Sequence, residues 1–278
     1  MKRALKAQLD VETTMIDALI PRFDTDKLAS SYQSAVPFPH IAISNFLDDS
    51  FAREVAESFP SLEDVQAMGR SFKAVNEKGK TQVTDSALFP PPILRLHELL
   101  ASPEFLARLS TLTGIPNLLA DPEMVGGGIH ETGPRGHLDV HVDFNYIEKR
   151  ELHRRLNVLI YFNDPWEDDW GGNFELWDKT VSKCHASVSP KFNQMCMFTT
   201  SDISYHGVTA VKCPQGQSRK SFAAYYYTKE APENWDGNAS NTIFKPRPEE
   251  KFKGQVLMPL QSAKYRLRQM VKRLIGRS

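Results

Sequence analysis

HLDVHVDFN, residues 137–145, sets His137, Asp139, His141 and Asp143 at one parity and Leu138, Val140, Val142 and Phe144 at the other. Successive side chains of an extended chain point to opposite faces, so the spacing predicts a strand with four polar groups on one side and four apolar groups on the other. A buried face does not tolerate two imidazoles and two carboxylates without partners; this one is either solvated or holds a cation. Outward from this stretch the alternation recurs. RRLNVLIYFND (154–164), GGNFELWD (171–178), NQMCMFTTSD (193–202) and RKSFAAYYYT (219–228) are further strand candidates, separated by clusters of Gly, Pro, Asn and Asp. That density of short strands between about residues 122 and 228 predicts a sandwich or a jelly roll.

Toward the N-terminus the period becomes helical. FPHIAISNFL (38–47) suits a strand, and Asp48, Asp49 and Ser50 then offer caps to a helix carrying Phe51, Val55 and Phe59 on one face and ending at Pro60. Ser102 followed by Pro103 predicts a helix start and Gly114 its stop, with Phe105, Leu109 and Leu112 as the buried stripe. The expected organisation is therefore mostly β with supporting helices (α+β). Residues 1–115 form a support region, 116–230 a catalytic core and 231–278 a C-terminal extension, in one compact unit. At 278 residues, with 41% hydrophobic and 24% charged residues, the chain can bury a core without a metal or disulfide staple. A metal found here is expected to do chemistry.

Lysine plus arginine equals aspartate plus glutamate at 34 each, which leaves no global electrostatic argument for nucleic acid. The three cysteines, Cys184, Cys196 and Cys213, have no Cys-x-x-Cys spacing, which argues against a disulfide framework and a zinc ribbon. The N-terminal stretch is interrupted by Asp10, Glu12 and Asp17, unlike a secretory signal, and no segment approaches the roughly 18 apolar residues of a membrane span. A cytoplasmic location is expected.

A His-x-Asp pair offers two ligands from one strand face, and a third imidazole from a distant strand completes a facial triad with open positions. His206, in SYHGV, is placed to supply it, and either His137 with Asp139 or His141 with Asp143 satisfies the alternation. Thirteen residues later Arg219 opens an apolar, aromatic strand with Ser221 at its own parity, a candidate bidentate clamp for a carboxylate.

In order, HVDFNY, RRLNVLIYFNDPW, GGNFELWD, SPKFNQMCMF, SYHGV and RKSFAAYYYT resemble successive blocks of the prolyl 4-hydroxylase-like branch of the 2-oxoglutarate and Fe(II)-dependent dioxygenases. The resemblance runs from about Gly126 to Thr228 and implies a double-stranded β-helix (jelly roll) core. It implies Fe(II) held by His141, Asp143 and His206, with the distal carboxylate of 2-oxoglutarate on Arg219, Ser221 assisting, Tyr161 reaching the same carboxylate and Asn157 touching the cosubstrate. Asp143 borders the polar loop NYIEKRELHRR, which favours the later pair as ligands. With O2, and ascorbate as an accessory reductant, the implied reaction hydroxylates an unactivated C–H bond and yields succinate and CO2. Relatives that halogenate have Gly or Ala where this chain has Asp143, so hydroxylation is expected. The expected substrate is a prolyl or other protein residue, with a small molecule or glycan precursor as the alternative. A cupin-like metal module without oxidation is the rival from another class, and Arg219 with Ser221 argues against it.

GGGIHETGPRG (126–136) lacks a phosphate-cradle pattern and reads as a flexible loop, with His130 a loop histidine. Trp166, Trp170 and Trp177, near Gly171 and Gly172, are expected to pack the barrel. The basic segment KYRLRQMVKRLIGRS reads as a solvated terminal helix rather than a membrane contact.

Overall fold

The computed structural model describes residues 16–21, 23–233, 235–250 and 257–258. The basic C-terminal segment singled out above lies outside them. Helix α1 (Thr25–Gln33) leads into strand β1 (His40–Ser44), and helices α2 (Asp49–Ser58) and α3 (Leu62–Met68) precede the hairpin of β2 (Arg70–Lys73) and β3 (Glu77–Val83). Helices α4 (Pro91–Ala101) and α5 (Pro103–Thr113) follow. The chain then enters the sheet proper: β4 (Leu119–Ala120), β5 (Gly128–Val142), β6 (Tyr146–Ile147), β7 (Leu152–Tyr161), β8 (Phe174–Trp177), β9 (Cys184–Val188), β10 (Gln194–Thr199), β11 (His206–Val208), β12 (Arg219–Thr228) and β13 (Ile243–Phe244). No described helix is long and apolar enough to cross a membrane.

The local signals act where they were expected. Asp48 caps α2 through its carboxylate, Ser102 caps α5, and Gly114 ends α5 in the left-handed region at φ 73°. The strands join antiparallel in the order β1-β10-β7-β12-β5-β11-β8-β9, the rolled sheet of a jelly roll. Its two faces differ in what they bury. Leu156, Val158 and Ile160 of β7, Phe222 and Tyr226 of β12 and Met195 and Met197 of β10 pack against Phe51, Phe105 and Leu109 from the helices. Each fully buried side chain of this kind contributes about 1.5 to 3 kcal/mol, so the helix-covered face stabilises the sheet. The opposite face is thereby free to carry polar groups.

One expectation is overturned here. Residues 128–136 are part of strand β5 and not a flexible loop, because β5 is paired on both sides: Thr132 faces Arg219, His130 faces Ser221, and Lys80 to Val83 of β3 line the other edge. Its glycines are there for close backbone approach. A Cβ on Gly128, at φ +88°, would sit 2.1 Å from the Val83 carbonyl oxygen.

On the outer side of β5, Glu131 is wholly buried; Ser218 Oγ donates to its Oε2 at 2.7 Å and its Oε1 has no hydrogen-bond partner. Burial pushes its carboxyl up to about 7. The folded state therefore holds a proton that the unfolded chain releases above about pH 4.5, and stability falls as pH rises from there to about 7. Glu131→Gln, which mimics the protonated acid, should raise Tm at pH 8 by an amount worth about 1 to 3 kcal/mol and leave it nearly unchanged at pH 4.5. Thermal melts at the two pH values check this.

Candidate active site

On the polar face, His141, Asp143 and His206 converge, and one ligand atom from each lies within 4.8 Å of the others. β11 pairs with β5 so that His206 is directly opposite His141, whereas Val208 is opposite Leu138. Three steps along β5 thus match two along β11, a β-bulge that shifts the parity of β5 between these pairs. Leu138 and His141 consequently both line the cavity, and Asp139 does not. The strict alternation expected for residues 137–144 fails for this reason. Of the two candidate pairs the fold brings only the later one to His206. His137 also lines the cavity but stays out of the cluster, with its Nε2 3.0 Å from the Val75 carbonyl, and Asp139 is fully buried near Arg247.

Each imidazole of the cluster is oriented from behind. His141 Nδ1 lies 2.9 Å from the carbonyl oxygen of Asp139 and His206 Nδ1 lies 2.9 Å from that of Ser204. A carbonyl can only accept, so both Nδ1 atoms carry the proton and both Nε2 atoms offer lone pairs to the cluster. Burial, with His141 beside it, pushes His206 down to about 3, so that ring is neutral at neutral pH. Burial opposes ionisation of Asp143, but the Arg154 guanidinium and the two imidazoles outweigh it and hold the carboxyl well below the usual range. Two imidazoles and one carboxylate, Nε2 atoms inward, are the donor set of a divalent iron site with open positions.

Arg219 lines the same cavity of ≈ 400 Å³ and is buried, with its Nε donating to the Gly172 carbonyl at 2.7 Å. Its guanidinium stands 4.8 Å from the centre of the Tyr161 ring, and the Tyr161 hydroxyl, also buried, has no hydrogen-bond partner. Burial raises the Tyr161 pKa, so the hydroxyl is a donor. A buried cation beside an orphaned hydroxyl fits an incoming carboxylate. Ser221 faces Tyr161 across the β12–β7 ladder and lines the same cavity. Leu159, Phe174 and Val208 form its apolar wall.

The family model of the 2OG-Fe(II) oxygenase superfamily matches residues 127–227. This stretch belongs to that superfamily. Two curated relatives share sequence with this chain. The prolyl 3,4-dihydroxylase OGFOD1 of Ostreococcus tauri is 29% identical over 214 residues, which cover 70% of this chain and 38% of the relative. The prolyl 3-hydroxylase OGFOD1 of Mus musculus is 24% identical over 238 residues, 80% of this chain and 41% of the relative. The chain thus spans about two fifths of their length. In fold it is similar to a prolyl 4-hydroxylase from Phytophthora capsici (TM-score 0.56, 16% identity, 88% of this chain and 75% of that one). It is also similar to a prolyl hydroxylase from Trichoplax adhaerens in complex with a hypoxia inducible factor peptide fragment (TM-score 0.51, 17% identity, 80% and 93%).

Two parts of the site escape the sequence reading. Arg154 is buried, 3.0 Å by its Nη2 from Asp143 Oδ2, and lies over the Tyr225 ring at 3.8 Å. Asn157, expected at the cosubstrate, lines the cavity but spends its amide on neighbours: Nδ2 donates to Asp143 Oδ2 at 2.9 Å and Oδ1 accepts from Arg154 Nε at 3.0 Å. The second part is a strap formed by residues 238–250. Asn145 grips it, accepting from the Ser240 amide at 2.7 Å; Ile243 and Phe244 pair with Val142 and His141; and the Phe244 ring stands 5.2 Å from the His141 ring. Thr242 and Phe244 line the cavity, which makes the strap one of its walls. The tryptophans stay out of it. Trp166 packs edge-on to Trp170, and Trp177 packs with Val140, Val142 and Tyr205. His130 lies on β5 inside the cavity with its Nε2 2.9 Å from the Gly126 carbonyl, a fixed wall residue rather than a loop histidine.

Proposed function

We propose that this chain is a 2-oxoglutarate- and Fe(II)-dependent hydroxylase acting on a prolyl residue of a protein or peptide, with His141, Asp143 and His206 as the iron ligands. The observation that carries the reading is the sharing of one cavity by the His–Asp–His cluster and the buried Arg219 with its orphaned neighbour Tyr161. The prolyl substrate is inferred from the two prolyl hydroxylases to which the chain is similar.

Bound iron would supply the oxidative chemistry, consuming 2-oxoglutarate and O2 and leaving hydroxylated product, succinate and CO2. The chain's own residues do the rest. His141 and His206 present oriented lone pairs, and Asp143 brings the negative charge that selects a divalent cation. Arg219 binds the distal carboxylate of the cosubstrate, and the Tyr161 hydroxyl donates to it. Leu138, Leu159, Phe174 and Val208 keep water from the reacting centre. The carboxylate at Asp143 occupies the place a halide would need, so the product is the alcohol. Ascorbate as a reductant, the cytoplasmic setting and a terminal basic segment without membrane function are part of the same proposal.

The direct test is metal-dependent binding of 2-oxoglutarate to the purified chain, and succinate release that rises when proline-containing peptides are added. Absence of both binding and succinate overturns the reading. A charge-assisted contact is worth about 1.5 to 3 kcal/mol, so Arg219→Ala should weaken 2-oxoglutarate about ten- to a hundredfold while Mn(II) affinity barely changes. Calorimetric titration of the Mn(II)-loaded proteins measures both. Equal affinity in the two proteins would put the carboxylate elsewhere, with Lys220 as the next candidate.

A further inference from the structure

A carboxylate ligand can bind a cation through one oxygen or two, and this site treats the two oxygens of Asp143 differently. Both oxygens border the ligand cluster, Oδ1 3.5 Å from His141 Nε2 and Oδ2 3.6 Å from His206 Nε2, but Oδ2 also takes Asn157 Nδ2 at 2.9 Å and Arg154 Nη2 at 3.0 Å. An ionised carboxylate offers about two lone pairs per oxygen, so two donors saturate Oδ2 and leave Oδ1 for the metal. The donors themselves are fixed. Arg154 Nε donates to Asn157 Oδ1, closing a triangle of three side chains, and the guanidinium is stacked on Tyr225 and packed against Phe144 with its side chain only 2% exposed.

We propose that Arg154 and Asn157 are positioning residues that hold Asp143 to ligation through Oδ1 alone and so keep a position on the metal open for cosubstrate. This rests on the iron site proposed above. A carboxylate released from the clamp would swing its second oxygen onto the metal and compete with the two-point attachment of 2-oxoglutarate. The guanidinium also carries a positive charge close to the cation, so its removal does not weaken metal binding on electrostatic grounds. The clamp therefore predicts a split: cosubstrate affinity falls while metal affinity does not.

The test uses Mn(II), alone and then with 2-oxoglutarate, on wild type, Arg154→Met, Arg154→Lys and Asn157→Ala. Water proton relaxation counts the exchangeable waters on bound Mn(II); three protein ligands leave three positions, so loss of one water in Arg154→Met lowers the enhancement by about a third. In the same variant 2-oxoglutarate affinity should fall about tenfold or more with Mn(II) affinity equal or higher. Arg154→Lys, which keeps the charge but not the fork, and Asn157→Ala, which keeps the charge and one donor, should lie between. An unchanged water count with unchanged cosubstrate affinity overturns the clamp. So does a Mn(II) affinity that falls with Tm while the water count stays at the wild-type value, because that is the signature of packing alone. Wild-type protein that binds Mn(II) but no 2-oxoglutarate overturns the hydroxylase reading, and the water count still decides the clamp.

Discussion

Asp143→Ala protein is expected to lose Mn(II) and Fe(II) affinity by more than about a hundredfold and to release no succinate from 2-oxoglutarate. The magnitude follows from the site. Changing a residue that merely supports a ligand costs about ten- to a hundredfold, and Asp143 is the one carboxylate in the described cluster. Its loss also leaves Arg154 buried beside no counter-charge, so the metal-free variant should melt lower than wild type. Asp139→Asn is the informative companion. Asp139 shares the His-x-Asp spacing but points away from the cavity, and its backbone carbonyl, which receives His141 Nδ1, survives the substitution. Metal affinity and turnover should persist in it. Calorimetry with Mn(II) on both variants, with circular dichroism as the folding check, decides; the opposite outcome would assign the metal to the earlier pair.

The largest expected effect on stability falls outside the stretch matched to the superfamily. Arg247, near the end of the strap, is buried with its Nε 2.9 Å from Glu175 Oε2, and its Nη1 is 4.0 Å from Asp139 Oδ1 and 3.8 Å from Glu250 Oε2. Arg247→Ala removes the buried cation that these carboxylates share. Breaking a buried ion pair on one side costs about 3 to 5 kcal/mol, which for a chain of this size lowers Tm by roughly 10 °C. Neutralising the partners as well, in Arg247→Met with Asp139→Asn and Glu175→Gln, should recover most of the loss, because the penalty lies in the uncompensated charge. Thermal melts of the single and triple variants measure this. The single variant should also bind Mn(II) less tightly, since the strap that seats Phe244 against His141 is anchored there.

Alternation made β7 and β12 legible. Asn157 and Leu159 face the cavity with Ser221 and Tyr225, as period two requires, and the buried Leu156, Val158 and Ile160 face the helices. The failures of alternation share one cause. In β5 the bulge opposite Gly207 changes parity between Leu138 and His141, so counting residues could not choose between the two His-x-Asp pairs. In β7 a second irregularity sets Tyr227 opposite Arg154 but Tyr226 opposite Leu156. That shift turns Arg154 into the cavity, while Arg155 reaches out to Thr228. By parity with Asn157, Arg155 would have been the inward residue. A bulge is a property of two paired strands, and neither strand's own sequence announces it. The strap was invisible for another reason: its strand is two residues long and carries no period.

Gly172 has a consequence for which acids the site can accept. It sits at φ +69°, and a Cβ there would meet Arg219 Cδ at 3.0 Å, Trp166 Cζ2 at 3.2 Å and Val211 Cγ2 at 3.2 Å. Arg219 is pinned to that glycine's carbonyl through Nε, so only the Nη edge of its fork is left to meet a ligand. The guanidinium cannot follow a shorter acid or retreat before a longer one. In the proposed site, Arg219 at one end and the His–Asp–His cluster at the other would act as the jaws of a fixed gauge. On the proposed reading, a diacid one carbon shorter or longer than 2-oxoglutarate is expected to satisfy one jaw but not both, and length selection of this kind would be built into the backbone rather than into any side chain that evolution could easily lengthen.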